Sequence, residues 1–137
     1  MVFFDTNVLV YVHDQRFPSK RQQARRLYSR YLYQDAVVLS TQVLQEFFVT
    51  VTRKATRIST REAKELVRQL AELPVVTIES DHILAAIELH SRYQISFWDA
   101  LIIVAAKAAR ASVVLSEDLG HGQVYDGVRV ENPFVAH

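Results

Sequence analysis

Residues 2–10 read Val-Phe-Phe-Asp-Thr-Asn-Val-Leu-Val, and this stretch decides the fold. A short apolar run, Val2 to Phe4, stops at the polar residues Asp5, Thr6 and Asn7. Such a run is typical of a buried strand in a parallel sheet, and here the carboxyl end of the strand carries an acid. We expect a helix to follow directly. The stretch therefore predicts a strand-to-helix junction that presents polar side chains.

The rest of the chain alternates short apolar runs with helical patterns. Further strands are predicted over residues 36–39, 75–78, 113–115 and 128–130, which makes about five in all. Helices are predicted from about Lys20 to Tyr33, from Ser40-Thr41 to about Lys54, from Ser59 to Leu73, from Ser80 or Asp81 to about Tyr93, and from Ser96 to about Arg110. Strands separated by helices imply an α/β fold with a parallel sheet covered on both faces.

The composition limits the classes of function. A chain of 137 residues is expected to form one domain, residues 1–137, and 50% hydrophobic with 23% charged residues is typical of a folded globular protein. The absence of cysteine excludes disulfides, thiol nucleophiles and cysteine-based metal sites. The longest uninterrupted apolar run, residues 100–106, is shorter than the roughly 18 residues of a membrane span, and Asp5 comes too early for a secretory leader. We therefore expect a cytoplasmic protein without membrane contact.

Basic residues are concentrated in two stretches although the net charge is only +1. These stretches hold 12 of the 16 lysines and arginines: Arg16, Lys20, Arg21, Arg25, Arg26 and Arg30 in the first, and Arg53, Lys54, Arg57, Arg61, Lys64 and Arg68 in the second. Solvated helix faces are the ordinary explanation, and a phosphate-rich partner is the functional one. Tyr28 and Tyr31 recur at helical spacing with apolar residues, so we expect them to pack in the core instead of stacking on bases.

Two acids follow predicted strands. Asp5 comes directly after the first strand, and Asp118 lies three residues beyond Leu115. Ligands of open parallel sheets bind beyond the carboxyl ends of the strands, so both side chains could reach one crevice. Taken singly, each aspartate is also an ordinary turn residue.

Two further acids lie on predicted helices. Asp99 completes a capping box with Ser96, yet it shares a helix face with Ile102 and Ile103 and therefore points toward the sheet. Glu46 lies beside the apolar face of its helix. A glutamate at such a position is usually exposed to solvent. A carboxylate that faces the core needs either backbone N–H groups or a cation as its partner.

The four acids together are more informative than each alone. Gathered carboxylates raise one another's pKa or require a compensating cation, and hard oxygen ligands without cysteine suit Mg²⁺ or Mn²⁺. With these four acids set aside, 16 basic residues face 11 acidic ones, a net charge of +5. An acidic site on a basic surface is compatible with cleavage of a nucleic-acid phosphodiester.

Four segments in this order resemble the PIN domain family, and most of all the VapC-type toxins of bacterial toxin–antitoxin pairs. The segments are Val-Phe-Phe-Asp5-Thr6-Asn7, Ser40-Thr41-Gln-Val-Leu-Gln-Glu46-Phe, Phe-Trp-Asp99-Ala-Leu-Ile and Leu-Ser116-Glu117-Asp118, and the likeness extends to Asn132-Pro133-Phe134. The resemblance implies a three-layer α/β/α sandwich with a central parallel sheet. It also implies an Mg²⁺- or Mn²⁺-dependent endoribonuclease that acts as a toxin, forms a homodimer and is blocked by a cognate antitoxin protein.

The resemblance also assigns roles to residues. Asp5, Asp99 and Asp118 correspond to the family's metal-site acids, and Glu46 corresponds to the acid that orients or activates the attacking water. Thr6, Asn7 and Ser116 correspond to supporting polar positions. Arg21, Arg25, Arg26 and His121 are candidates for RNA contact.

Two positions leave the assignment open. Relatives often carry another acid where this chain has Gly120-His121-Gly122, so the local charge differs. Either Glu117 or Asp118 could face the metal, and motif position favours Asp118.

Three other classes of function are alternatives to a toxin endoribonuclease. One is a non-catalytic RNA-binding or regulatory PIN-like module, and another is an RNA-processing PIN nuclease without an antitoxin. The third is a phosphoryl-accepting α/β domain, which the sequence opposes. An aspartate-nucleophile phosphatase would need a second Asp at the position of Asn7, and a receiver would need a late lysine, whereas none follows Lys107.

Overall fold

The computed structural model describes residues 1–135 and contains six strands and six α-helices in that range. The strands are β1 (Val2–Phe4), β2 (Val37–Ser40), β3 (Val75–Val76), β4 (Val113–Leu115), β5 (Val124–Tyr125) and β6 (Val128–Glu131). The helices are α1 (Thr6–Tyr11), α2 (Pro18–Tyr33), α3 (Thr41–Val51), α4 (Thr60–Leu70), α5 (Ser80–Tyr93) and α6 (Phe97–Ala108), with a short 3₁₀ turn at Lys54–Thr56. The predicted α/β class is confirmed.

The strands form one sheet in the order β3-β2-β1-β4-β6-β5, and every neighbouring pair except β5 with β6 is parallel. The prediction of about five strands omitted β5. Asp126 and Gly127 join this two-residue strand to β6. Their φ angles of 49° and 84° match the turn that joins two strands in a tight hairpin. The Asp-Gly dipeptide was the available signal, but so short a strand has no apolar period of its own.

The sheet is covered on both faces, as predicted for a three-layer sandwich. Phe3 and Phe4 are both fully buried although neighbouring strand residues point to opposite faces. Phe4 packs against Tyr28 and Tyr31 of α2, with ring centroids 5.7 and 6.0 Å apart, which confirms that these tyrosines pack in the core. Helix α6 contacts β2, β4 and β6, and its residues 100–106 are buried.

Serine side chains begin three helices where the sequence predicts them. The hydroxyl oxygens of Ser40, Ser59 and Ser96 accept backbone N–H groups of the first turns of α3, α4 and α6. The prediction for α5 was off by one residue because Glu79 is its cap, and the ring of His82 accepts the backbone N–H of Glu79 at 3.0 Å. Helices α3, α4 and α6 end two or three residues earlier than predicted. Among residues 1–135, no helix is both long and apolar enough to span a membrane.

Truncation of Phe4 tests the packing of α2 on the sheet. We expect Phe4→Ala to lower the free energy of unfolding by about 3 to 5 kcal/mol, because the buried ring leaves a cavity beneath two tyrosines. Chemical denaturation followed by circular dichroism measures the loss. Val49→Ala on the exposed face of α3 is the control, with an expected change within about 0.5 kcal/mol. Equal losses in both variants would contradict the packing described.

Candidate active site

The first two acids meet because their strands are neighbours. β1 and β4 are parallel and pair in register, so Asp5 and the loop after Leu115 leave the sheet at the same edge. The backbone N–H of Asp5 donates to the carbonyl of Leu115 at 3.0 Å, which continues the ladder to this point. Asp5 is 4% exposed, whereas Asp118 is exposed at the rim.

The other two acids come from helices. Asp99 lies in the first turn of α6, and single carboxylate oxygens of Asp5, Asp99 and Asp118 all lie within 4.8 Å of one another. Glu46 lies on α3, where its Oε1 accepts the Thr6 hydroxyl at 3.3 Å. The four acids are therefore brought to one edge of the sheet.

Gln42 is a residue of this region that the sequence did not single out. Its side chain is buried, and its Nε2 donates to the carbonyl of Trp98 at 3.1 Å, which ties α3 to the start of α6. This bond fixes the helix that carries Glu46 against the helix that carries Asp99. A polar residue in the first turn of an otherwise apolar helix was the signal that could have identified it.

Small polar side chains hold two of the carboxylates in place. The Ser116 hydroxyl donates to Asp5 Oδ2 at 2.7 Å and accepts the backbone N–H of Asp118 at 3.1 Å. Asn7 Nδ2 donates to Asp118 Oδ2 at 3.0 Å and lies 3.5 Å from Asp5 Oδ2. The backbone N–H of Thr6 donates to Asp5 Oδ1 at 2.7 Å. Thr6, Asn7 and Ser116 thus all contact the acids.

Glu117 points away from the other acids. Its carboxylate accepts the Tyr11 hydroxyl at 2.5 Å and pairs with Lys20 Nζ at 2.9 Å. Lys20 also lies 4.9 Å from the centre of the Tyr11 ring. With Glu117 occupied by a lysine, Asp118 is the acid of this pair that joins the cluster.

The site places negative charge where solvent cannot screen it. Burial raises the pKa of Asp5 to about 7, and the nearby charges of Asp118 and Glu46 act in the same direction. Burial also raises the pKa of Glu46 and of Asp99 from their usual values. In residues 1–135 none of the four acids forms an ion pair with a lysine, arginine or histidine. Their charge is left for a cation from outside the chain.

A groove of about 270 Å³ leads away from the acids. Its lining includes Glu46 and Asp118 of the acidic cluster together with Arg16 and Phe17. Arg16 is half exposed and is held by the buried carboxylate of Asp14 at 2.8 Å, which lowers the pKa of Asp14 through the hydrogen bond. Sequence reasoning placed Arg16 in a basic stretch without assigning it to the site.

The predicted RNA-contacting residues lie outside this groove. Arg21 and Arg25 line a separate cavity against α4, and Arg26 lines another one beside Glu131. His121 is exposed, and its Nδ1 accepts the backbone N–H of Asn132 at 3.0 Å.

The raised pKa of Asp5 predicts that this residue destabilises the metal-free fold at high pH. The pKa of Asp5 is about 7 in the folded chain, against an ordinary value of 3.8. Above pH 7 the side chain is ionised in both the folded and the unfolded chain, so burial of its charge lowers the free energy of unfolding by the full amount. That cost falls as the pH drops from 7 toward 4, because only the folded state then binds the proton. We expect Asp5→Asn to stabilise the metal-free protein at pH 8 by between about 1 and 4 kcal/mol and to have little effect near pH 4.

Thermal unfolding in EDTA across pH 4 to 8 measures the difference between the two proteins. Glu72→Gln, at an exposed position, removes one negative charge and should show no such pH dependence. A stabilisation by Asp5→Asn that is constant across this pH range would contradict the assignment.

Comparisons with known proteins agree with the fold. A profile of the PIN domain matches residues 2–127. No match was found among curated protein sequences.

Similar folds occur in toxins and their complexes. The structures include VapC20 from Mycobacterium tuberculosis, described as a toxin that cleaves the sarcin-ricin loop, with 21% identity, a TM-score of 0.69, and coverage of 86% of this chain and 90% of that one. A toxin–antitoxin complex from Klebsiella pneumoniae has 18% identity, a TM-score of 0.73 and coverage of 98% of both chains. DNA-bound VapBC from Salmonella typhimurium has 16% identity, a TM-score of 0.67, and coverage of 96% and 97%. Because the PIN profile spans nearly all of the sequence, this chain belongs to the PIN domain family.

Proposed function

We propose that this chain is a metal-dependent endoribonuclease and the toxin of a toxin–antitoxin pair. The observation that carries the proposal is the convergence of Asp5, Asp99 and Asp118 within 4.8 Å, with Glu46 beside them, next to a groove that Glu46 and Asp118 line. Membership of the PIN domain family and the likeness of the fold to VapC structures support the same reaction class.

The acids fit a hard divalent cation. Asp5, Asp99 and Asp118 would hold Mg²⁺ or Mn²⁺, since they offer three carboxylate oxygens close together and no basic side chain of the described chain neutralises them. When bound, such an ion lowers the pKa of a water molecule and offsets negative charge on a phosphoryl group.

Glu46 is the proposed general base. Its raised pKa brings its proton affinity closer to that of a base that works near neutral pH, and the Thr6 hydroxyl orients its carboxylate. Glu46 accepts a proton from water while the water oxygen bonds to phosphorus. The bond from phosphorus to the leaving ribose oxygen then breaks, and that oxygen takes a proton from solvent.

The remaining polar residues of the site position these groups. Ser116 and Asn7 hold the Asp5 and Asp118 carboxylates through hydrogen bonds, which limits their motion during the reaction. Arg16, fixed by Asp14 in the groove, would contact a phosphate next to the scissile one. Arg26 lines a different cavity and has no part in the proposed reaction, and the prediction that His121 contacts RNA stays a prediction.

An antitoxin partner is part of the proposal. The structures of similar fold from Klebsiella pneumoniae and Salmonella typhimurium are complexes of a toxin with its antitoxin. An antitoxin of this kind would have to keep RNA from the groove that leads to Glu46 and Asp118.

We also propose a homodimer, for which α5 offers an apolar stripe. Ile83, Leu84 and Ile87 are 41%, 62% and 50% exposed on one side of this helix. Exposed apolar groups at this spacing are typical of a surface that packs against a second chain.

Cleavage of a mixed RNA pool tests the reaction. We expect wild-type protein to cleave with Mn²⁺ or Mg²⁺ and not with EDTA, and Asp5→Asn or Asp99→Asn to abolish cleavage because each removes a metal-site carboxylate. Glu46→Gln should slow cleavage by about 100- to 10,000-fold, the usual contribution of a general base. A rise in melting temperature with Mn²⁺ should persist in Glu46→Gln and be lost in Asp99→Asn.

Glu72→Gln is the control and should retain activity and the response to Mn²⁺. Undiminished cleavage by pure Asp99→Asn protein would contradict the assigned site. RNA binding without turnover, under every metal condition, would instead indicate a non-catalytic RNA-binding module.

The oligomeric state tests the α5 surface. Wild-type protein is expected to sediment as a dimer, and the double variant Leu84→Glu/Ile87→Glu as a monomer, because two buried charges at the contact are costly. Val49→Glu, at a position 58% exposed on α3, should leave the dimer intact. Analytical ultracentrifugation measures both, and a monomeric wild type at micromolar concentration would rule out the proposed dimer.

A further inference from the structure

Three neighbouring cavities lie between the acidic site and a basic face of the molecule. The groove at the acids shares Asp14 and Arg16 with a second cavity of about 480 Å³, which Arg57 also lines. The second cavity shares His13 and Glu62, among others, with a third of about 560 Å³. This row of neighbouring cavities forms a path from Glu46 to the surface between α2 and α4.

Arginines line this path from one end to the other. Arg16 lies in the first two cavities, Arg57 in the second, and Arg21, Arg25 and Arg61 in the third. We call these five residues the basic track. They come from α2, from α4, from the loop between α1 and α2 and from the loop after the 3₁₀ turn, so only the tertiary fold brings them together.

The track carries a net positive charge. In the described part of the chain, Arg21, Arg25, Arg57 and Arg61 form no ion pair. Three acids line the second and third cavities with the five arginines: Asp14 pairs with Arg16, Glu62 accepts the Ser59 hydroxyl at 3.0 Å, and Glu65 pairs with Arg68 outside the track. Five arginines against three acids leave a net charge of +2.

Two details of the third cavity concern its guanidinium groups. Arg25 Nε donates to the backbone carbonyl of Val12 at 2.8 Å, which holds this side chain and leaves the terminal nitrogens of its guanidinium for a ligand. Arg21 Nε is shielded from solvent and has no hydrogen-bond acceptor within the described chain, a cost that an anionic oxygen reaching this nitrogen would remove. The pKa of His13 is lowered by burial and by the charges of Arg25 and Arg21, in keeping with a positive potential.

Helix α2 separates two kinds of arginine. Arg21 and Arg25 are four residues apart and share one face, whereas Arg26 and Arg30 form a second such pair, rotated by about 140°. Arg26 and Arg30 line a different cavity, together with the carboxylate of Glu131. The two pairs carry equal charge on the same helix, but only the first lies on the path to the acids.

We propose that the basic track binds the phosphate backbone of a single-stranded RNA whose scissile phosphate lies at the acidic cluster. The proposal rests on the proposed function and extends it, because it names the side on which the RNA leaves the site and the residues that hold it. The distribution of five arginines over three neighbouring cavities favours a chain of phosphates over a single anion. RNA long enough to reach α4 should therefore bind more tightly than RNA that covers the acids alone.

The test compares the two arginine pairs of α2. The variants are Arg21→Gln/Arg25→Gln and the matched control Arg26→Gln/Arg30→Gln, each with two charges removed, and Arg61→Glu from the opposite wall. Binding of a fluorescent single-stranded RNA of about 15 nucleotides is measured by anisotropy in EDTA, across a series of salt concentrations. Cleavage of the same RNA and of a 4-nucleotide RNA is measured with Mn²⁺.

We expect the track variants to bind the long RNA about 10- to 100-fold more weakly and to flatten the salt slope by about 0.7 for each lost phosphate contact. KM for the long RNA should rise while kcat, and cleavage of the short RNA, stay unchanged. The control pair should resemble wild type. The side chain of Arg61 makes no hydrogen bond within the described chain, so Arg61→Glu tests the track even if loss of the Arg25 contact to Val12 impairs folding.

Equal losses in the Arg21/Arg25 and Arg26/Arg30 variants, or no loss in Arg61→Glu, would overturn the track. If all variants cleaved RNA like wild type, with unchanged KM and salt slope, the basic track would be overturned. The proposed ribonuclease activity would still stand. A wild type that binds the long RNA through the track but never cleaves it would contradict only the proposed reaction. A wild type that binds no RNA would contradict both.

Discussion

The parallel pairing of β1 with β4 is the constraint on which the site depends. These strands are separated by more than 100 residues in sequence, yet their register brings Asp5 and Ser116 into hydrogen bonding at 2.7 Å. Ser116 also accepts the N–H of Asp118, so one hydroxyl links the two strand ends. Helices α3 and α6 then add Glu46 and Asp99 to an edge that the sheet has already formed. Without the β1–β4 pair, the remaining acids would have no common point of attachment.

The acids of the site do not stabilise the fold, which depends on other residues. Burial of Asp5 among other carboxylates raises its pKa, which means that the ionised cluster opposes folding until a cation compensates it. The chain tolerates this because strongly packed elements surround the site: Phe3, Val8 and Ile103 are fully buried. Hydrogen bonds from Ser116, Asn7 and Thr6 offset part of the cost but add no positive charge. Strain of this kind is expected where a protein holds groups for chemistry instead of for stability.

The charged side chains around the site also have specific partners and positions. Lys20 removes Glu117 from the site by pairing with it, and Asp14 holds Arg16 in the groove. One side of α2 contributes arginines to the path that leads from the acids, and the other side does not. A net charge of +1 conceals this pattern, because acids gathered at one edge cancel arginines gathered elsewhere.

The sequence by itself determined the strand and helix order, the serine caps and the acids that lie at strand ends, because each depends on local periodicity or on a side chain within a few residues. It therefore predicted the parallel sheet and placed Asp5 and Asp118 at one edge. The Asp126-Gly127 hairpin, the tie from Gln42 to Trp98 and the pairing of Glu117 with Lys20 were decided only by the tertiary structure. Each of these involves either a strand too short for a pattern or partners far apart in sequence. For the same reason, periodicity could place the α2 arginines outside the core but could not show which of them faces α4.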